Sequence, residues 1–337
     1  EVSGGHRIAW LSDLHFAGVK ESKTPFVLEV KRTKLLRRLF LERKNEWSEG
    51  FASHNFDRIL DRIREKKFSH LLITGDVTNL ALAEQFKEAR EKLLQLQAVL
   101  YSSSPPGHLS PDFCTILPGN HDVTGLTEET KLQEFFEFFK ECYPTSGNNQ
   151  VFPFQKRIQS PSGKDSLEIH LIGLDSTPNY PVEVVGMNAR GKLSKSQKDG
   201  LSGKLRECCQ NKAFVLVALH HHPVVIPYIK SRAYEYFMSL DMDDSNELIS
   251  LCSEYNVKAI LHGHFHMYTV WLAPKGLPKR VTGYMPIIGA PCGTTSGPDT
   301  EVHFLELREA RTTKGDQTVL GLSLVRHELG SSDHWEE

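Results

Sequence analysis

Five short polar clusters, each directly after a run of apolar residues, restrict this chain more than any other feature of its sequence. They are Asp13-Leu14-His15, Gly75-Asp76-Val77-Thr78-Asn79, Gly119-Asn120-His121-Asp122, His220-His221-His222-Pro223 and Gly263-His264-Phe265-His266. Open α/β sheets place their ligands just beyond the carboxyl ends of the strands. The sequence therefore predicts an α/β fold in which the five clusters meet at one edge of the sheets.

Strand and helix patterns alternate along the chain, as expected for sheets that are covered by helices. Apolar runs predict strands at 7–11, 70–74, 114–117, 167–174, 213–219 and 259–261, with late strands within about 280–328. Apolar residues at helical spacing predict helices at 56–66, 82–96, 132–143, 194–208 and 247–255. A basic stretch at about 20–52 is predicted as a helical insert, either a solvated surface or a lid over an anionic substrate. We expect residues 1–337 to form a single domain.

Composition narrows the class of protein. The net charge is -2, so no overall positive field indicates a nucleic-acid partner. Six cysteines without a CxxC pair argue against a disulfide framework or a thiolate zinc site. The longest apolar runs, such as 213–219, are too short to span a bilayer, so no membrane partner is expected. We predict a cytoplasmic protein, unless a leader has been removed before Glu1, and the sequence indicates no oligomeric state.

The clusters offer the ligands of a metal site. Carboxylate and amide oxygens mixed with imidazole nitrogens suit Mn, Fe, Zn or Co. Residues two apart in an extended segment point the same way, so Asp13 and His15 can reach one ion, and the fifth cluster has the same spacing. Taken singly, each cluster also has a structural explanation, because Gly75-Asp76 is a common turn and 119–122 could cap a helix. All five in one chain favour metal binding.

Together the clusters resemble the calcineurin-like metallophosphoesterases, whose pattern is D-x-H, GD-x-x-N/D, GNH-D/E, H and GH-x-H. Every part of the pattern occurs here in family order, over about residues 7–266. The resemblance implies a four-layer α-β-β-α sandwich of two mixed sheets flanked by helices, with two divalent or trivalent metal ions at one sheet edge. The implied ligands are Asp13, His15 and His266 for the first ion, Asn120, His220 and His264 for the second, and Asp76 as the bridge.

The resemblance also implies roles for two residues that are not ligands. The position of His121 faces the scissile phosphate in the family, and the position of Asn79 orients that imidazole, although Asn79 could also be a plain turn residue. The chain has three consecutive histidines where the pattern needs one. We prefer His220, the first residue after the apolar strand, and keep His221 as the alternative.

The family resemblance implies a phosphoesterase in which a metal-activated water attacks phosphorus. The segment 188–193 with Gln197 resembles one found in bacterial cyclic-nucleotide-phosphodiesterase-like (class III) members. The expected substrate is thus a small phosphodiester, with a cyclic nucleotide as one candidate, or else a phosphomonoester. Two alternatives stay open. A nuclease would bind DNA or RNA with steep salt dependence, and a non-catalytic metal-binding scaffold would not hydrolyse bis-p-nitrophenyl phosphate.

Overall fold

The structure is a computed structural model that describes residues 5–16, 53–79, 81–101, 106–123, 132–144, 151–158, 167–177, 190–211, 213–224, 242–277, 280–293, 302–314, 317–329 and 335–336. The predicted basic insert at about 20–52 lies outside these ranges. Within them, no helix combines the length and the apolar composition that crossing a bilayer requires. The organisation of residues 1–337 as a single domain stays a prediction.

Helices and strands alternate along much of the first three quarters of the chain, and the elements described in the last quarter are strands. In chain order the elements are β1 (Arg7–Leu11), α1 (Ser53–Lys66), β2 (His70–Ile73), α2 (Ala83–Leu100), β3 (Cys114–Ile116), α3 (Gln133–Phe139), β4 (Phe154–Ile158), β5 (Ile169–Gly173), α4 (Lys195–Gln210), β6 (Phe214–Ala218), α5 (Ser245–Glu254), β7 (Ala259–His262), β8 (Thr269–Leu277), β9 (Arg280–Gly289), β10 (Val302–Lys314), β11 (Gln317–Leu329) and β12 (Trp335–Glu336). Short 3-10 turns lie at His121–Val123 and Lys140–Cys142, and the second of these ends the helix predicted at 132–143.

Two mixed six-stranded sheets carry the five clusters. The first sheet has the order β12-β11-β10-β1-β2-β3, with β1, β2 and β3 parallel. The second has the order β4-β5-β6-β7-β9-β8, in which β5, β6, β7 and β9 are parallel. The first three clusters follow β1, β2 and β3, while the last two follow β6 and β7. All five thus lie beyond the carboxyl ends of parallel strands, as predicted.

The second sheet buries a different set of side chains on each face. On β6, Leu216 and Ala218 belong to an apolar core that also contains residues of the first sheet, whereas Val215 and Val217 pack with α4 and α5. Alternating residues of a strand point to opposite faces, so β6 is covered on both sides. Helices α1, α2 and α3 contribute to the shared core with the first sheet. The four-layer α-β-β-α arrangement is confirmed.

Candidate metal centre

The chain segments that leave β1 and β2 run side by side past the ends of their strands. Asp13 donates its backbone N–H to the carbonyl of Gly75 over 3.0 Å, and His15 donates to the carbonyl of Asp76 over 2.9 Å. These hydrogen bonds continue the parallel pairing of the two strands into the loops. They bring the side chains of the first two clusters to the same place at the sheet edge.

The backbone at the site adopts conformations that are unusual for residues other than glycine. Positive φ angles occur at Asp13 (55°), His15 (47°), Asp76 (52°), His264 (70°) and His266 (55°). A left-handed conformation is uncommon for such residues and is costly enough to persist only where the surroundings impose it. Its concentration at five of the predicted ligands marks this edge as a functional site.

A first group of ligand atoms combines two carboxylates and two imidazoles. One ligand atom each from Asp13, His15, Asp76 and His266 lies within 4.8 Å of all the others. Nε2 of His15 is 3.1 Å from Nε2 of His266, which is 3.3 Å from Oδ1 of Asp13. Three of the side chains are buried, and that of His266 is 26% exposed. The group is therefore reached from solvent on the His266 side.

A second group combines Asp76 with His220 and His264, and it shares the Asp76 carboxylate with the first. His220 places Nδ1 2.8 Å from the backbone carbonyl of Thr74. A carbonyl only accepts hydrogen bonds, so the proton of neutral His220 lies on Nδ1 and Nε2 is the nitrogen that could bind an ion. That Nε2 is 3.0 Å from Oδ1 of Asn120 and 3.2 Å from Nδ1 of His264.

The charges of the two groups are unevenly distributed. Burial opposes a charge on His220, but the neighbouring Asp76 outweighs it and raises the pKa of His220 to about 9. Burial likewise opposes ionisation of Asp76, yet His220 and then His121 hold the pKa of that carboxyl well below its usual range. Burial holds the pKa of His15 and of His264 well below the ordinary value. These two imidazoles are therefore neutral, as a nitrogen ligand must be, whereas His220 would have to lose its Nε2 proton on binding an ion.

His121 lies beside both groups without belonging to either. Its backbone N–H donates to Oδ1 of Asp76 over 2.8 Å, and its ring centroid is 4.6 Å from that of His15. Its Nδ1 is 2.9 Å from the backbone carbonyl of Asn79. This contact between the two predicted catalytic positions runs through the Asn79 backbone, so it would survive a change of the Asn79 side chain.

Two glycines allow the clusters to approach each other closely. Gly75 has a φ of 99°, and a Cβ at that position would lie 2.5 Å from Nδ1 of His220. A Cβ at Gly119 would lie 2.2 Å from Oδ1 of Asp76. Real Cβ contacts are never this short, so both positions require glycine.

Asp122 ties the second and third clusters together. Its Oδ2 accepts the backbone N–H groups of Val77 and Gly119, over 3.1 and 3.0 Å. Its Oδ1 accepts the N–H of Thr78 over 2.8 Å and the Thr78 hydroxyl over 2.9 Å. The side chain is fully buried. Asp122 therefore links the loops that carry Asp76 and His121.

The Asp122→Asn variant is expected to lower the free energy of unfolding by about 3 kcal/mol. An amide nitrogen cannot accept the N–H groups that the carboxylate accepts. Each buried donor left without an acceptor costs roughly 1–3 kcal/mol. Burial, followed by Asp76, raises the pKa of Asp122 to about 6, so urea unfolding should be measured at pH 8, where the carboxyl is ionised. Asp57→Asn, at an exposed position on α1, is the control. A loss no larger than that of the control would contradict this role.

The family resemblance named Asn79 as the residue that orients His121, but sequence reasoning missed the atoms through which the histidines are oriented. The carbonyls of Thr74 and Asn79 belong to the backbone, which leaves no trace in residue type. Ser176, which contacts His221, follows β5 as the predicted ligands follow their strands, and that position was its only signal.

Comparisons with known proteins show which family and which fold this chain resembles. A family model described as calcineurin-like phosphoesterase matches residues 6–268. A probable cyclic nucleotide phosphodiesterase of Vesicomyosocius okutanii subsp. Calyptogena okutanii (strain HA) is 23% identical over 224 residues, which are 66% of this chain and 73% of the relative. A dimetal phosphatase from Danio rerio has a TM-score of 0.50 at 12% identity, with 96% of this chain and 99% of that chain covered.

A purple acid phosphatase from yellow lupin (Lupinus luteus) seeds also gives a TM-score of 0.50, at 11% identity, with 97% of this chain and 52% of that chain covered. The likeness to these two solved structures shows a shared fold. The family model spans well over half of the chain, from the strand before the first cluster to the residues just after the fifth. The chain is therefore a phosphoester hydrolase and belongs to the calcineurin-like phosphoesterase family.

Proposed function

We propose that this chain hydrolyses a phosphodiester at a centre of two transition-metal ions. The observation that carries the proposal is the pair of ligand groups that share the carboxylate of Asp76. A bridging carboxylate suits two ions about 3.5–4 Å apart, the separation found in two-metal hydrolases. The proposed ligands are Asp13, His15 and His266 for the first ion, Asn120, His220 and His264 for the second, and Asp76 for both.

The chemistry of the donors fits such ions. The Thr74 carbonyl fixes the ring proton of His220 on Nδ1, and outer partners of this kind are typical of metal-binding histidines. Asn120 adds a neutral oxygen, which limits the negative charge that faces an anionic substrate. A set of oxygen and nitrogen donors without thiolate suits Mn, Fe, Zn or Co. When bound, the ions would withdraw charge from the phosphoryl group. They would also lower the pKa of water, so that water could lose a proton and attack phosphorus.

His121 is proposed to act on the leaving oxygen. Its Nδ1 is held by the Asn79 carbonyl, so in the protonated ring Nε2 carries the proton that remains for donation. The Asp76 carboxylate accepts its backbone N–H and keeps the ring beside the metal groups. A positioned histidine can stabilise charge on a departing oxygen or protonate it.

A small phosphodiester, with cyclic nucleotides as the first candidates, is proposed as the substrate. Support comes from the segment at 188–193 with Gln197, and from the 23% identity to a probable cyclic nucleotide phosphodiesterase. Asn79-Leu80 departs from the GDxxDRG motif of phosphoprotein phosphatases, and the net charge of -2 offers no general attraction for nucleic acid.

A substrate panel at defined metal concentrations tests the proposal. Rates would be measured with Mn, Zn or Co on cyclic nucleotides, bis-p-nitrophenyl phosphate, p-nitrophenyl phosphate and single-stranded DNA. We expect metal-dependent hydrolysis in which diesters react faster than the monoester. Preferred cleavage of DNA, with binding that weakens steeply with salt, would favour the nuclease instead. Two bound ions without any hydrolysis would favour the scaffold.

His220→Ala is expected to reduce the metal content from two ions per chain to one. It removes the imidazole whose Nε2 faces Asn120, Asp76 and His264. His222→Ala is the matched control from the same triple-histidine segment and should retain two ions, because His222 is in neither ligand group. Metal analysis of the purified variants would decide, and a His220→Ala chain that still holds two ions would assign the ligand to a neighbour.

A further inference from the structure

We infer that His221 is a positioning residue for the second ligand group, Asp76, His220 and His264, and that the segment at 190–197 holds His221 in place. The inference rests on the proposed function, and it gives a role to a histidine outside the proposed ligand set. It also accounts for the part of the chain that resembles cyclic-nucleotide phosphodiesterases. Three sets of contacts among the described residues carry it.

The first contact fixes the orientation of the His221 ring. The backbone N–H of His221 donates to Oγ of Ser176 over 3.1 Å, and the same Oγ lies 2.9 Å from Nδ1 of His221. A serine hydroxyl has one proton, and an oxygen that accepts the amide N–H can give that proton to Nδ1. Neutral His221 then carries its ring proton on Nε2. Both side chains are fully buried, so the ring has little freedom to rotate.

The second set of contacts joins His221 to two proposed ligands. Its ring centroid lies 4.6 Å from that of His264 and 5.1 Å from that of His220. His221 itself is not part of the second group of ligand atoms, which consists of Asp76, His220 and His264. Packing against two ligand rings limits how far they can turn away from the ion. Removing or shifting the His221 ring would open space into which His264 could rotate.

The third set of contacts connects the segment at 190–197 to the same histidine. A Cβ on Gly191 would lie 2.5 Å from Cβ of His221, so the Gly191 backbone closes directly against that residue. The N–H of Lys192 donates to the Ser176 carbonyl over 3.0 Å. The Gln197 amide accepts the N–H of Asp175 and donates to its carbonyl, both over 2.9 Å. The segment thus binds residues 175–176 through hydrogen bonds and packs against His221.

The geometry gives this segment a supporting role. Its described residues reach Ser176 and His221, and through the His221 ring they reach the ligands His220 and His264. Residues that contact the ligands of a metal commonly set the orientation of those ligands, and their loss costs about 10–100-fold in metal affinity or activity. The segment is therefore expected to tune the affinity of the second ion.

The test compares Gly191→Ala with Gly203→Ala. The alanine methyl at 191 would lie 2.5 Å from Cβ of His221, so His221 or the segment at 190–197 must shift, whereas a Cβ at Gly203 on α4 would meet nothing within 4 Å. Metal-depleted chains would be titrated with Mn²⁺ by calorimetry. For Gly191→Ala we expect an unchanged first binding step and a second step weaker by about 10–100-fold. Its kcat should be low at limiting Mn²⁺ and recover with excess Mn²⁺, with KM little changed, while Gly203→Ala should match the wild type.

Ser176→Ala provides a second route to the same result. It leaves the backbone in place and removes the hydroxyl that holds the His221 ring, so the second Mn²⁺ step should again weaken. If Gly191→Ala does not fold, Ser176→Ala decides by the same criterion. If the wild type binds two ions and hydrolyses diesters while the folded variants bind both ions with wild-type affinity, the inference is wrong and the proposed function stands. A wild type that takes up no second ion would overturn both.

Discussion

Asp76→Ala is expected to remove both metal ions and to lower kcat/KM for a diester by about 10³-fold or more. The Asp76 carboxylate belongs to both ligand groups and faces both His15 and His220, at 3.9 and 3.3 Å. Loss of both ions would remove their stabilisation of the phosphoryl charge, which is worth several kcal/mol, and about 1.4 kcal/mol corresponds to tenfold in rate. Metal analysis and steady-state kinetics on bis-p-nitrophenyl phosphate measure the two effects.

Two comparisons make the Asp76 result specific. His15→Ala removes a ligand from one group only, so it should retain one ion per chain and lose less activity. Asp57→Ala removes a carboxylate that is exposed on α1 and should match the wild type. If Asp76→Ala kept one ion at native affinity together with substantial turnover, Asp76 would not bridge the two sites.

His121→Ala should keep both ions and lose activity in proportion to how much help the leaving oxygen needs. A p-nitrophenolate departs without a proton, whereas a ribose alkoxide does not, and general acid catalysis typically contributes roughly 10²–10⁴-fold. We therefore expect a loss in that range on a cyclic nucleotide and a much smaller loss on bis-p-nitrophenyl phosphate. Single-turnover rates at saturating metal on both substrates provide the measurement.

The Asn79→Ala variant tests whether the Asn79 side chain is needed for the role of His121. His121 Nδ1 contacts the Asn79 backbone carbonyl, which alanine retains, so the leaving-group dependence of Asn79→Ala should resemble that of the wild type. Equal losses of His121→Ala on both substrates would indicate general electrostatic stabilisation instead of proton donation. Loss of metal from His121→Ala would make His121 a ligand.

Strands whose residues are apolar on both faces were the easiest to predict. β6 reads Phe-Val-Leu-Val-Ala, and Val215 and Leu216 face different cores. A parallel strand covered on both sides needs apolar residues at every position, which makes such strands easy to recognise. The polar clusters then mark where these strands end, so the sequence predicted both the edge of the sheets and the residues gathered there.

β4 was missed because a lysine occupies one of its inward positions. Phe154, Lys156 and Ile158 are all buried, but a charged residue between two apolar ones hides the alternation. Nζ of Lys156 donates to the carbonyls of Cys114 and Cys142, both over 2.8 Å, and to Oγ1 of Thr115 over 2.9 Å. These acceptors match its three N–H groups. They are supplied by β3 and a distant 3-10 turn, which local sequence cannot reveal.

β8 was missed for a different reason. It lies at the edge of the second sheet, where Val270 and Leu272 are 47% and 62% exposed, and it contains Pro274. Proline is tolerated on edge strands because one side of the strand makes no ladder hydrogen bonds. The exposed apolar face hides the alternation of buried apolar and exposed polar residues. The internal proline argues against a strand, so β8 could not be recognised from sequence.

Residue types and spacing predicted which side chains gather at the site, but the contacts of each side chain depend on the fold. The sequence could not choose firmly between His220 and His221, because both follow the same apolar run. The contacts that favour His220 are those of the Thr74 carbonyl, which turns His220 Nε2 toward Asp76, and of Ser176, which binds the His221 ring. Both partners lie in loops that follow other strands.

Counting the metal ions that restore activity tests the central claim most directly. Metal-depleted protein would be titrated with Mn²⁺, and bound ions per chain and hydrolysis of bis-p-nitrophenyl phosphate would be measured on the same samples. We predict two ions per chain at saturation, with hydrolysis that rises as the second ion binds. Full activity with a single ion bound, or hydrolysis by the metal-depleted chain, would contradict a centre of two ions bridged by Asp76.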